Sequence, residues 1–164
     1  MSENRFDVND AALREEFLRS GVAPALGPLR TDAAARWGGM NAQQMVEHLM
    51  WACECSTGLA VVPCTNPPAV LPRIKRFLRD DRETPHDFMN PVLAAGLPPL
   101  RCADLDEAKA ALLRELARFL DGSRGNGELH THPIFGPLDH EEWHRAHYKH
   151  IRHHFLQFGL MDAG

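Results

Sequence analysis

The stretch Asp139 to Phe158, DHEEWHRAHYKHIRHHFLQF, most constrains what this chain can become. It holds no glycine or proline and is followed by Gly159, so one uninterrupted helix is the expectation. Asp139 reads as its N-cap and Glu142, three residues on, as the capping-box partner. Six of the chain's ten histidines lie here. At about 100° per residue, His147, His150 and His154 share an arc with Trp143, Ile151 and Phe158. Lys149, Arg152 and His153 point elsewhere. Imidazoles turned toward an apolar stripe need partners, and a metal ion is one candidate.

The prolines set the second constraint. Pro63, Pro67, Pro68, Pro72, Pro85, Pro91, Pro98 and Pro99 fall between Leu59 and Cys102. No long helix can run through them, because each lacks a backbone donor and its ring clashes with the preceding turn. A short helix, Leu71 to Arg79, with an exposed basic face, is the most this stretch allows. A connection over 59–103 is long for a compact domain and suggests a lid or binding loop across one mouth of the fold.

Helices are expected on either side. Asn9 to Arg19 is the first, with Leu13, Phe17 and Leu18 on its apolar edge and Gly21 and Pro24 ending it. Asn41 to Gly58 is the second, with Asn41 and Gln44 as a capping box. By helical arithmetic, Met45, Ala52, Cys55 and Leu59 lie within about 60° of His48, so His48 faces the core. Asp104 to Leu120 is the third, with Leu105, Ala108, Leu112, Leu116 and Phe119 at helical spacing and Asp104 or Asp106 as cap. Gly122 to Gly127 reads as a flexible loop, and His130 to Leu138 as a tight, proline-bounded entry into the last helix. No segment reads as a strong strand. The expected fold is all-α: a single domain over 1–164, built as an antiparallel four-helix bundle with a long crossover between helices 2 and 3.

Bulk properties narrow the partners. The formal charge of −4 and pI near 6.2 provide no broad basic field, which argues against nucleic acid as the main ligand. No apolar run reaches the roughly 18 residues that span a membrane. The polar opening MSENRFDVND has no apolar h-region, so no signal peptide and a cytoplasmic location are expected. There Cys53, Cys55, Cys64 and Cys102 stay reduced, and without a CxxC pair they outline no zinc knuckle.

Spacing then sorts the histidines. His150 and His154, at i and i+4, lie about 40° apart and can chelate one ion. His150 with His147 is a weaker pair. His147 and His154 are about 10 Å apart along the axis, too far to share an ion without His150. A third ligand must come from another element, and His48 is the best placed. Each has a plainer reading. An inward histidine such as His48 is commonly a hydrogen-bonded core residue. His140, His144 and His153 read as surface residues, His130 and His132 as loop hydrogen-bonders or rim residues, and His86 has no evident partner. Spacing alone leaves the metal and structural readings level. Cys55, seven residues from His48, reads as core packing before cavity lining. Trp51, Trp143 and Phe158 also read as core. Gly38-Gly39 reads as a turn and not a phosphate loop, because no strand precedes it. No nucleophile elbow or Ser-His-Asp set is evident.

The run His150-Ile151-Arg152-His153-His154-Phe155-Leu156-Gln157 resembles the terminal helix of the DinB/YfiT-like superfamily of metalloenzymes. That helix carries His, three intervening residues, His, and a Gln three further on. The segment HPIFGPLDHEEWHRAHYKHIRHHFLQFGL is similar to a DinB-like branch of unknown function, and NAQQMVEHLMWACE is similar to the family's metal-bearing second helix. The resemblance implies His48, His150 and His154 as ligands of a divalent metal, zinc or nickel, with water completing the site. It implies up-down-down-up bundle topology, homodimers, and small-molecule chemistry as a hydrolase or as a transferase using a small cytosolic thiol as cosubstrate. In that setting His147 is expected to assist as a neighbour of His150, and Gln157 to orient a ligand or the bound water. A non-enzymatic metal- or ligand-binding module of the same fold is the alternative.

Overall fold

The computed structural model describes residues 5–122 and 127–163. Residues 123–126 of the expected Gly122–Gly127 loop lie outside the described residues, as do the first four of the polar N-terminus. The described chain is mostly helical, with one small two-stranded sheet. None of its helices is long and apolar enough to cross a membrane.

Three long helices organise it: α3 (Ala42–Thr57), α5 (Leu105–Asp121) and α6 (His140–Gln157). Each begins on a side-chain cap that satisfies amide donors the helix itself cannot. Asn41 accepts from the Gln44 amide at 2.8 Å while Gln44 accepts from Asn41, closing a capping box. Asp139 and Glu142 repeat it on α6. Asp104, and not Asp106, caps α5. α3 ends at Gly58, whose φ of 79° is left-handed. A Cβ there would lie 2.7 Å from the His130 ring, so glycine is required twice over. α3 packs along α5 and against α6. The core between them contains Met45, Leu49, Leu112, Leu116, Trp143, Ile151 and Phe155.

The first helical region departs from its sequence reading. α1 (Ala11–Glu16) starts on Asp10 and does not end at Gly21 or Pro24. It passes through a π-helical turn, Phe17–Gly21, into α2 (Val22–Leu26). Pro24 is the third residue of α2, directly after the π-turn. The all-α expectation is also qualified by one short ribbon. His130–His132 (β1) pairs antiparallel with Gly136–Leu138 (β2), matching His130 with Leu138 and His132 with Gly136. A three-residue ribbon lacks enough alternation to be legible, and it is fixed locally: the Ile134 and Phe135 amides donate to Nδ1 of His132.

The long connection carries only short pieces, as its prolines require. Leu71–Arg79 divides into α4 (Leu71–Ile74) and a 3₁₀ turn, Lys75–Arg79, with Arg73, Arg76 and Arg79 exposed. Cations of α6 fasten it. Buried Lys149 donates to the carbonyls of Phe77 and Asp80, both at 2.7 Å, and lies 3.5 Å from the Phe77 ring centre. Buried Arg152 holds Glu83 through Nη2 at 2.9 Å. The far end is fastened to α3. Glu47 accepts from the amides of Arg101 and Cys102 at 2.7 and 2.9 Å, and Arg101 makes a two-pronged ion pair with Glu54.

Candidate metal centre

Helical spacing brings His150 and His154 onto one side of α6, and α3 turns His48 toward them. The Nε2 atoms of His48 and His150 are 2.9 Å apart, and those of His150 and His154 are 3.1 Å apart. One nitrogen from each of the three lies within 4.8 Å of the others. His154 is buried, while His48 and His150 remain partly accessible.

Hydrogen bonding fixes which nitrogen of His154 carries the proton. The Gln157 amide nitrogen donates to the Trp37 carbonyl at 2.9 Å, so its oxygen faces His154. That oxygen is 2.7 Å from Nδ1 of His154 and accepts its N–H. In neutral His154 the Nε2 atom is therefore a bare lone pair. His150 Nε2 has two nitrogen neighbours but can make one in-plane hydrogen bond, as donor or acceptor. Whichever it makes, the other nitrogen–nitrogen contact is left without a hydrogen bond. Extra protons are opposed: burial, then the charge of His153, pushes His48 down to about 4, and burial pushes His150 and His154 well below the ordinary imidazole range. Neutral imidazoles with converging lone pairs are what a divalent cation takes as ligands, so the donor set fits a metal ion.

The other histidines are partnered without one. His147, the expected neighbour, is buried one turn away, with Nε2 2.8 Å from the Ser56 hydroxyl. Ser56 donates to the Cys53 carbonyl, so its oxygen accepts from His147. His147 is not a member of the three-nitrogen group. His144 is buried, correcting the expectation of a surface residue. Its Nδ1 accepts from Arg14 at 3.2 Å and its Nε2 is 2.9 Å from the Glu15 carboxylate. His140 is half-buried, stacked on Phe119 and bonded to that residue's carbonyl. His153 is half-buried beside Trp37 and His86. His86 finds its partner in Trp37, stacked at 3.6 Å between ring centres. Cys55 is buried, and burial pushes its thiol up to about 12, so it packs as a small apolar residue.

Sequence reasoning missed the residues that hold Gln157. Trp37 supplies the carbonyl, and Gly38, with φ of 77°, lets the amide approach, since a Cβ there would lie 2.8 Å from Gln157 Nε2. The Trp37-Gly38-Gly39 run was a visible signal of a tight backbone approach, with no indication of what approached.

The chain belongs to the DUF1569 family, described as "protein of unknown function", whose family model matches residues 21–160. No curated protein and no solved structure matches it.

Proposed function

We propose that this protein is a metal-dependent enzyme whose His48, His150 and His154 hold one divalent ion, zinc or nickel. One observation carries the reading: three imidazole nitrogens converge, and at least one contact between them is left without a hydrogen bond. The likeness of the His150–Gln157 run and of the His48 helix to DinB/YfiT-like metalloenzymes supports it. That likeness also supports an up-down-down-up four-helix bundle, with the 59–103 connection as its crossover, and a homodimeric, cytoplasmic protein.

The ion supplies Lewis acidity, favouring the deprotonated form of a water or thiol brought against it. The chain's residues do the rest. Gln157 holds the His154 proton on Nδ1 and so keeps Nε2 free to ligate. Partial exposure of His48 and His150 leaves a small molecule a path to the site. Three neutral ligands leave the dication's charge undiminished, which suits hydrolysis or transfer from a small thiol cosubstrate to an electrophilic substrate. Among the described residues the group contains no carboxylate, and so no evident general base. That observation also favours a second reading, a non-enzymatic metal- or ligand-binding module.

Metal analysis of the purified and metal-loaded protein tests the site. One equivalent is expected in the wild type, none in His48→Ala or His154→Ala, and one in His153→Ala. A wild type that holds no stoichiometric metal under any loading condition overturns the reading. Loss of hydrolytic or thiol-transfer activity on chelation, with recovery on reloading, separates the enzyme from the binding module.

A further inference from the structure

The crossover leaves a cleft of about 140 Å³ against α3, beside the histidine group. Its wall on α3 is His48 and Trp51, and its opposite wall is Leu93, Leu97, Pro98 and Pro99. The two charged residues at its edge are already occupied. Glu47 accepts from the Arg101 and Cys102 amides and from Gln43, and the Arg101 guanidinium is matched on both prongs by Glu54, at 2.7 and 2.8 Å. Both side chains are therefore already held by the protein itself. The His48 and Trp51 rings are stacked, 5.9 Å between centres and 28° apart in plane, so this wall includes one imidazole of the three-histidine group.

We propose that this cleft binds an uncharged, largely apolar molecule about the size of one ring. Such a molecule lies against Trp51, with any polar end toward His48. The size follows from the volume, since an apolar cavity of about 150 Å³ accommodates benzene. Neutrality follows from the apolar walls, because a charged group entering among Trp51, Leu93, Leu97, Pro98 and Pro99 would lose hydration that those side chains cannot replace. The wall opposite Trp51 is crossover, so side chains at 93 and 97 set the size of what enters. Binding in the cleft does not require the ion; identifying the ligand as the substrate rests on the proposed metal chemistry.

Fluorine NMR titration of the metal-free protein with 4-fluorobenzyl alcohol, 4-fluorobenzoate and 4-fluorobenzylamine tests this, with no metal charge acting on the probes. The neutral alcohol is expected to bind saturably, at least tenfold more tightly than either charged analogue. Leu97→Trp, which fills the cleft, is expected to weaken it at least tenfold while metal content and melting temperature stay at wild-type values. Leu93→Trp serves as the second variant should the first fail to fold. Equal binding of all three probes, no binding of the alcohol, or unchanged binding by a folded filled-cleft variant overturns the proposal. Metal stoichiometry is read separately. Selective probe binding without stoichiometric metal sinks the metal reading alone, and stoichiometric metal without selective binding sinks the cleft alone.

Discussion

The two halves of α6 carry the same residue type to opposite ends. In the first half, His140, His144 and His147 each meet an ordinary partner: the Phe119 carbonyl, the Arg14–Glu15 pair and the Ser56 hydroxyl. In the second half, His150 and His154 meet each other and His48. Burial does not separate the halves, since His144, His147 and His154 are all buried. What separates them is the chemistry across the interface. Where the neighbouring element offers complementary hydrogen-bonding groups, a histidine is structural. Where it offers a third imidazole, lone pairs accumulate and a cation is the natural complement.

Truncation on each side of this divide breaks the comparison most severely. His154→Ala or His48→Ala should weaken metal binding by at least about a hundredfold, since each removes a ligand. His147→Ala should retain full metal content and instead lose about 2–4 kcal/mol of stability, through a cavity and an orphaned Ser56 partner. Metal analysis paired with urea denaturation reads both effects. Metal loss in the His147 variant would erase the distinction between the halves.

Support of the ligand comes next. Gln157→Leu removes the acceptor that fixes the His154 tautomer and should cost about 10–100-fold in metal affinity. Gly38→Ala should act in the same direction, because its methyl group collides with the Gln157 amide. A competition titration against a chelator of known affinity measures both. Wild-type affinity in both variants would show that His154 is oriented by its own packing.

Acid sharpens the contrast within the first half. Burial, reinforced by His132, His144 and His140, pushes His147 down to about 3. Its folded pKa lies below its unfolded one, so the unfolded chain takes up a proton that the folded chain refuses. This residue's contribution is intact above about pH 6.5 and falls as pH drops toward 3, with a limiting slope of about 1.4 kcal/mol per pH unit. His147→Gln should therefore lose less stability than the wild type between pH 7 and pH 5, by up to about 2 kcal/mol. Urea midpoints at the two pH values report the difference, and parallel losses would mean His147 is not held neutral by the fold.

The smallest effect is expected at His153. His153→Ala should leave metal binding unchanged and cost about 0.5–1 kcal/mol through lost contact with Trp37. A thermal melt beside metal analysis suffices, and reduced metal content would draw His153 into the site.

Much of the three long helices was legible in advance. Their caps at Asn41, Asp104 and Asp139 are written in single residues with local hydrogen bonds, and their apolar faces in a 3.6-residue period. The π-turn at Phe17–Gly21 and the His130–Leu138 ribbon were not, because the first suspends the rules for Gly and Pro and the second is too short for a period. Within the site, i,i+4 spacing placed His150 with His154, and the apolar arc of α3 turned His48 inward.

Sequence by itself determined that these three imidazoles project from helix faces able to meet, because helical geometry is local and fixes side-chain direction relative to nearby residues. It could not determine that His147 goes to Ser56 while His150 goes to His48, nor that Trp37 and Gly38 anchor Gln157. Those partners lie 91 to 120 residues away, and only the packing of α3, α6 and the Trp37 loop brings them within hydrogen-bonding distance. A histidine's role depends on the group opposite its second nitrogen, and tertiary structure alone decides what that group is.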